Sequence, residues 1–378
     1  MVFVYVGLGF MAFLSAATLA IDVGMFMTAR SQAQNSADAG ALAGAVALVF
    51  NSYTDRSAGG PVVQSAVTAA AANTVMGSPV SVGPPDVAFP IDTDGQANLV
   101  QVTVYRSAQR DPPNPVPTLI GPLFGVPTVN ITATATAQAS PANAMTCVKP
   151  FMIPDKWTEY SDDHGNLDGP WTTDSTFDLY FANKNPLPRP DVYIGAGQDG
   201  YTGYTVANDV GKQLVLRAGT GSQINPSFYY SWKMPDDIGG EFYRENIATC
   251  NQSLMRWGQT IIQEPGDKMG PTVQGVTDLI AQDPAAYWDG GCECVKGSAF
   301  GTSPRVFPIP LYDPAFYEDG KAHGRPADFR IANFLGFFAD HVDGNQIYGV
   351  ITNIVGVVAP DAGPVPANLF PRAIRLVQ

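Results

Sequence analysis

The chain has 378 residues, enough for two or three domains, and 45% of them are hydrophobic, so cores can be filled and wholesale disorder is excluded. Charged residues make up 15%, against about 25% in an average soluble protein, while Gly (38) and Pro (32) are abundant; the composition is that of a loop-rich, exported chain. A net charge of −13 and a pI near 4.5 exclude a basic face for nucleic acid and electrostatic attachment to anionic lipid.

The composition divides sharply along the chain. Upstream of Cys147 there is no Lys, Glu, His, Trp or Cys; all eight Lys, six Glu, three His, five Trp and four Cys lie from Cys147 onward. The first 145 residues carry seven acids and four Arg, so most of the negative charge belongs to the remainder. With the break at Ser140-Pro141-Ala142-Asn143, this predicts a hydrophobic segment 1–27, an α+β module 28–145 and a separate domain 146–378.

Residues Met1 to Ile21 carry no charge, and the apolar run reaches Met27 with Asp22 as its single charge. Such a run is long enough to cross a bilayer core as a helix. No Lys or Arg precedes it, so it lacks the basic start of a secretory signal, and the chain reads as beginning at a processed or trimmed terminus. No Pro occurs before Pro61, and the helix is expected to continue to about Asn51. At 1.5 Å per residue, fifty residues span roughly 75 Å. The second half must therefore leave the membrane and pack on protein.

Ala12, Ala16, Ala20 and Gly24 recur at every fourth position, and Ala33, Ala37, Ala41 and Ala45 repeat the pattern with Gly40 and Gly44 beside them. Rows of small residues let helix backbones approach closely. They predict packing against copies of the same helix; the plainer alternative is a single membrane anchor whose alanines are incidental. Asp22 reads either as a carboxylate at the lipid–water boundary or as a buried one paired across a helix–helix interface.

Pro61 to Gly77 reads as a short, alanine-rich second helix. Two strands follow with period-two alternation, one carrying Val100, Val102 and Val104, the other Val129, Ile131, Ala133, Ala135 and Ala137. The proline-rich stretch 111–117 between them reads as a rigid extended linker. These parts predict an α+β fold in which the long N-terminal helix packs on a small antiparallel sheet. The second module reads as mainly β. Its expected strands are Val192–Ile194, Gln213–Arg217, Phe228–Trp232, Arg305–Leu311 (at an edge, because of its prolines), and a pair, Phe329–Phe338 and Gln346–Val358, turning at Asp343-Gly344-Asn345. One helix is expected, Pro271–Ala281.

The residues Leu19-Ala20-Ile21-Asp22-Val23-Gly24, Ala29-Arg30 and the stretch from Gln34 to Ala45 together resemble the N-terminal motif of TadG-like and TadE-like Tad (Flp) pilus-assembly proteins. The resemblance implies an inner-membrane helix followed by a domain on the outer side. The helix is also similar to the first helix of type IV pilins in length and polarity gradient, but pilins carry Glu at position 5, where this chain has Tyr5. Phrases such as Ile153-Pro154-Asp155-Lys156-Trp157 and Asp283-Pro284-Ala285-Ala286-Tyr287-Trp288 resemble the outer part of the same family. The Asp-x-Ser-x-Ser metal motif of the adhesion domain in many TadG proteins is absent from the sequence.

Four Cys allow three pairings. Cys292 and Cys294 stand too close to bond each other comfortably, so each is expected to pair with Cys147 or Cys250. Asp162, Asp163, Asn166 and Asp168 crowd oxygen ligands around Gly165 as in a calcium loop, though without EF-hand spacing; a solvated Asx-rich turn is the plainer alternative. No other cofactor is indicated. Trp157, Glu159, Trp171, Asp174 and Asp178 could line a glycan cleft with two carboxylates, or simply fill a core. No phosphate loop, Gly-x-Ser-x-Gly or His-Glu-x-x-His motif occurs.

The reading these features favour is a non-enzymatic, structural cell-envelope protein. It would be a pilin-like filament subunit, held in the inner membrane with its outer domain in the periplasm and later part of an extracellular fibre. Its partners would be copies of itself through the helix, other pilus or assembly-machinery proteins, and the membrane before assembly; nucleic acid is excluded. The alternatives are a membrane-anchored assembly factor and a tethered adhesin binding glycan or calcium through residues 155–180.

Overall fold

A single helix, α1, runs from Val2 to Phe50. The computed structural model describes residues 2–51, 55–91, 98–160, 171–219, 221, 223–235, 239–264, 266, 268–323, 328–359 and 365–377. They form two units, one of Met1–Ala139 with Ile374–Gln378, the other of Ser140–Ala373.

In the first unit, α2 (Pro61–Ala71) and the strands β1 (Val87–Ala88), β2 (Leu99–Arg106), β3 (Val116–Pro117), β4 (Thr128–Val129) and β5 (Ile131–Pro141) follow α1. A four-stranded sheet has the order C-terminal strand (Arg372–Val377), β5, β2, β1. β2 and β5 are antiparallel, with Val100 opposite Ala137, Val102 opposite Ala135 and Val104 opposite Ala133. This valine–alanine face is buried with Val62, Ala66 and Ala70 of α2 and the alanines of α1. The other face carries Thr103 against Thr134 and Gln101 against Thr136. The alternation of apolar and polar residues in the sequence thus maps directly onto the two faces. α2 stops at Ala71, short of Gly77, because Thr74–Val75 pairs back on Ser78–Pro79 through Met76 (φ 50°) and Gly77 (φ 75°).

The second unit contains β6 (Phe151–Pro154), β7 (Gln213–Ala218), β8 (Phe228–Ser231), α3 (Gly240–Ala248), β9 (Thr260–Ile262), α4 (Met269–Gln282), β10 (Val306–Tyr312), α5 (Pro314–Ala322), β11 (Asp328–Asp343) and β12 (Gln346–Thr352). Six strands close into a ring in the order β11, β10, β6, β8, β7, β12, since the long β11 pairs with both β10 and β12; β9 adds to the start of β11. Closure leaves the ring without a free edge. The molecule is α+β, with its long helix on a small antiparallel sheet and a β-rich unit after it.

Three local expectations change. Val192–Ile194 is not a strand: Val192 alone bridges to Thr158. β10 is central, between β11 and β6, despite Pro308 and Pro310. The Pro308 carbonyl accepts from the Lys149 amide, so its own nitrogen faces the β6 side, where the parallel pairing involves only Leu311 and Tyr312. Prolines are tolerated there because the ladder with β11 uses the alternate residues. α3 and α5 join the expected helix α4.

Candidate functional site

α1 changes character near Asp22. Between Phe3 and Met27, twelve large apolar side chains among the described residues are exposed, Phe3 at 92% and Met27 still at 72%. From Ala29 onward one face is sealed: Ala29, Ala33, Ala37, Ala41 and Ala45 are all at most 1% exposed. A methyl group at Gly40 would stand 2.9 Å from the Ala66 carbonyl oxygen, and one at Gly44 2.7 Å from Cγ1 of Val100. The small residues at 33–45 therefore seat α1 on α2 and β2 of its own chain, fastened by the Ser36 hydroxyl donating to the Ala70 carbonyl at 2.7 Å. Ala16, Ala20 and Gly24 are exposed, and a methyl group added at Gly24 would meet nothing within 4 Å. The Ala12 side chain lies outside the described residues.

Asp22 is 6% exposed, and its carboxylate accepts three consecutive backbone N–H groups, from Leu119 at 2.9 Å, Ile120 at 3.1 Å and Gly121 at 3.1 Å. These amides belong to the loop between β3 and β4, which closes through the left-handed Gly125 (φ 77°). A fan of successive amides solvates an anion without a counter-cation. It joins Asp22 to residues 97–99 positions away, so nothing local in the sequence could have marked them. An apolar cavity of about 530 Å³ lies between this loop and Ala16, Leu19 and Phe26 of α1.

In the second unit the disulfides are Cys147–Cys250 and Cys292–Cys294. The pairing corrects the expectation that Cys292 and Cys294 would each find a distant partner. Both lie in a hairpin, Tyr287–Asp289 against Cys294–Lys296, and Glu293 adopts φ 51°, which turns the two side chains toward each other. Lys149, buried, donates to the carbonyls of Ile247 and Thr249 at the end of α3, both at 2.6 Å; burial lowers its pKa to about 7. Asp155 is fully buried and accepts from the Tyr201 and Tyr193 hydroxyls at 2.9 and 3.0 Å and from the Tyr204 and Lys156 amides; burial still pushes its carboxyl up to about 6.

The aromatic residues of the suspected glycan cleft fill a core. Trp157 is buried edge-on against Trp171 and Phe177, and its indole N–H donates to Glu159. Glu159 is pushed up to about 7, first by burial and then by the charge of Asp191. Asp174 is exposed and faces Arg217 at 3.7 Å. The 1130 Å³ cavity of this unit lies elsewhere, among Tyr193, Trp257, Asp313, Phe316, Arg330 and Asn368. Asp313 there caps α5 by accepting from the Phe316 amide and pairs with Arg330, both structural tasks. Asp162, Asp163, Asn166 and Asp168 lie outside the described residues, and among the described residues no cluster of His, Cys, Asp or Glu could hold a metal.

Among the described residues no helix is long and apolar enough to cross a membrane, the side chains of Ala12, Leu14, Ser15, Ala17 and Thr18 lying outside them. Two disulfides are the chemistry of an oxidising compartment. No curated protein and no solved structure matches the chain. Residues 2–47, the segment that spans both the exposed and the seated parts of α1, match the family model Tad, described as putative Flp pilus-assembly TadE/G-like, and the chain carries a TadE/G-like pilus-assembly domain there.

Proposed function

We propose that this chain is a pilin-like structural subunit of a Tad-type pilus, assembling through the first half of α1. The single observation that carries the reading is the row of twelve exposed large apolar side chains, among the described residues, from Phe3 to Met27. Covering each contributes about 1.5–3 kcal/mol. Left in water the row forfeits on the order of 20 kcal/mol, more than the ~5–15 kcal/mol that holds a typical domain folded. Lipid covers it before assembly, and the helices of neighbouring copies cover it in the filament core. Ala16, Ala20 and Gly24 are the small residues left free for close helix contact, since those at 33–45 are spent inside the subunit. The β-rich unit, with its disulfides, is exported to the periplasm and then to the fibre.

A second reading, a membrane-anchored assembly factor, draws on Tyr5 standing where pilins have Glu and on the short length of the free ladder. Negative-stain microscopy of sheared cell-surface material, with the chain identified by mass spectrometry, separates the two. Filaments containing this chain, lost in Gly24→Leu while the purified subunit stays folded, support the subunit. Retention in the inner-membrane fraction alone refutes it.

A further inference from the structure

We propose that the loop from Thr118 to Pro127 is a second membrane contact, a wedge that enters the head-group layer beside α1 while the subunit awaits assembly. The inference rests on the reading that the first half of α1 lies in lipid at that stage.

The loop contains no charged residue in ten positions. Leu119 and Val126 are 61% and 49% exposed. Its height is set by Asp22, whose carboxylate holds the Leu119, Ile120 and Gly121 amides. Asp22 is also the first charged residue of the sequence. The twenty residues Val2–Ile21 span about 30 Å as a helix, the thickness of a bilayer hydrocarbon core. That places Asp22 at the hydrocarbon boundary. The loop flanks the helix on both sides of Asp22, from Ala16 to Phe26, so it straddles this boundary, where hydrocarbon meets the head groups. A carboxylate at that depth needs a partner, and three amides supply it without importing another charge. Arg30, exposed and the first basic residue of α1, lies about 12 Å beyond Asp22, within reach of lipid phosphates. An uncharged apolar loop, an acid held by backbone amides and a basic residue follow one another in the order in which a bilayer passes from hydrocarbon to phosphate. A second copy of the chain would explain the apolar loop but not this order of charges.

The test uses the full chain reconstituted into phosphatidylcholine vesicles. Leu119→Cys, and independently Val126→Cys, are labelled with the fluorophore NBD; Phe10→Cys reports the helix. Lipids spin-labelled near the head group or deep in the acyl chain serve as quenchers. The expected result is deep quenching at position 10, with a blue shift and preferential shallow quenching at 119 and 126. Deep quenching at position 10 with unquenched, water-like emission at 119 and 126 overturns the wedge and leaves the membrane helix standing. A blue shift at 119 that no spin lipid quenches and that grows with protein density identifies a neighbouring copy, and also overturns it. Absence of quenching at position 10 refutes the membrane reading on which the wedge rests.

Discussion

Gly40→Ala sets two effects of known sign against each other. In a helix interior the change adds about 1 kcal/mol of stability by lowering the entropy of the unfolded chain. In a filled core an added methyl costs about 1–3 kcal/mol. At Gly40 the methyl would meet the Ala66 carbonyl oxygen at 2.9 Å, Cβ of Ala70 at 2.9 Å and Cγ1 of Val102 at 3.1 Å. The first two cannot rotate away, so the upper end of the overpacking cost applies and the net loss is about 2 kcal/mol. Gly24→Ala is the control: nothing lies within 4 Å, and only the gain remains. Because two units need not unfold together, a global melt would blur the effect. Hydrogen exchange read on peptides from α2 and β2 isolates the first unit. A loss of 2 kcal/mol accelerates their slowest exchange about thirtyfold. Exchange no faster in Gly40→Ala than in the parent protein would refute the seating of α1 on α2 and β2.

Asp22→Ala removes the acceptor of three amides, and exchange at residues 119–121 is expected to rise at least tenfold, with Asp22→Asn in between; unchanged exchange there would show that the carboxylate does not hold the loop. Cys147 and Cys250 close a loop with a sequence separation of 103, so replacing both with Ala should cost the second unit about 4–5 kcal/mol by chain entropy. Replacing Cys292 and Cys294, two positions apart, should cost only about 1–2 kcal/mol. Urea titration checks both, and peptide mapping without reduction checks the pairing itself. Asp155 has its carboxyl raised to about 6 in the folded unit, above about 3.9 unfolded. The folded state therefore favours the proton: the contribution is complete below the unfolded value and is lost as pH rises through about 6, about 3 kcal/mol in all. All five Trp lie in this unit, so Trp fluorescence in urea on either side of pH 6 should show the decline. Asp155→Asn should remove its share of the decline, and Asp155→Asn with Glu159→Gln should flatten it, because Glu159, also raised, to about 7, contributes with the same sign.

The extent of α1, the alternation in β2 and β5 and the hairpin of β11 with β12 were legible because each depends on neighbours within a few residues. The chain writes a 3.6- or 2-residue period directly into its side chains. The small-residue ladder was legible as a packing surface but not as to its partner. The same alanines suit a second helix of another copy or α2 of this one, and only the approach of Gly40 and Gly44 to Ala66 and Val100 distinguishes them. Pro308 and Pro310 pointed to an edge strand by a rule that counts missing donors; which side of β10 those donors would face depends on register.

By itself the sequence determined an uncharged apolar start, a helix of about fifty residues, the change of composition near residue 145 and the periodicities of the first sheet. The tertiary structure alone decided that Asp22 is satisfied by amides of a loop nearly a hundred residues away. It also decided that Cys292 pairs with Cys294, that Asp155 is enclosed by three tyrosines, and that the last strand joins the first unit's sheet. The physical reason is common to all four. Each is a contact between groups whose chemistry is ordinary wherever it occurs, and whose partner is chosen by how the backbone returns on itself.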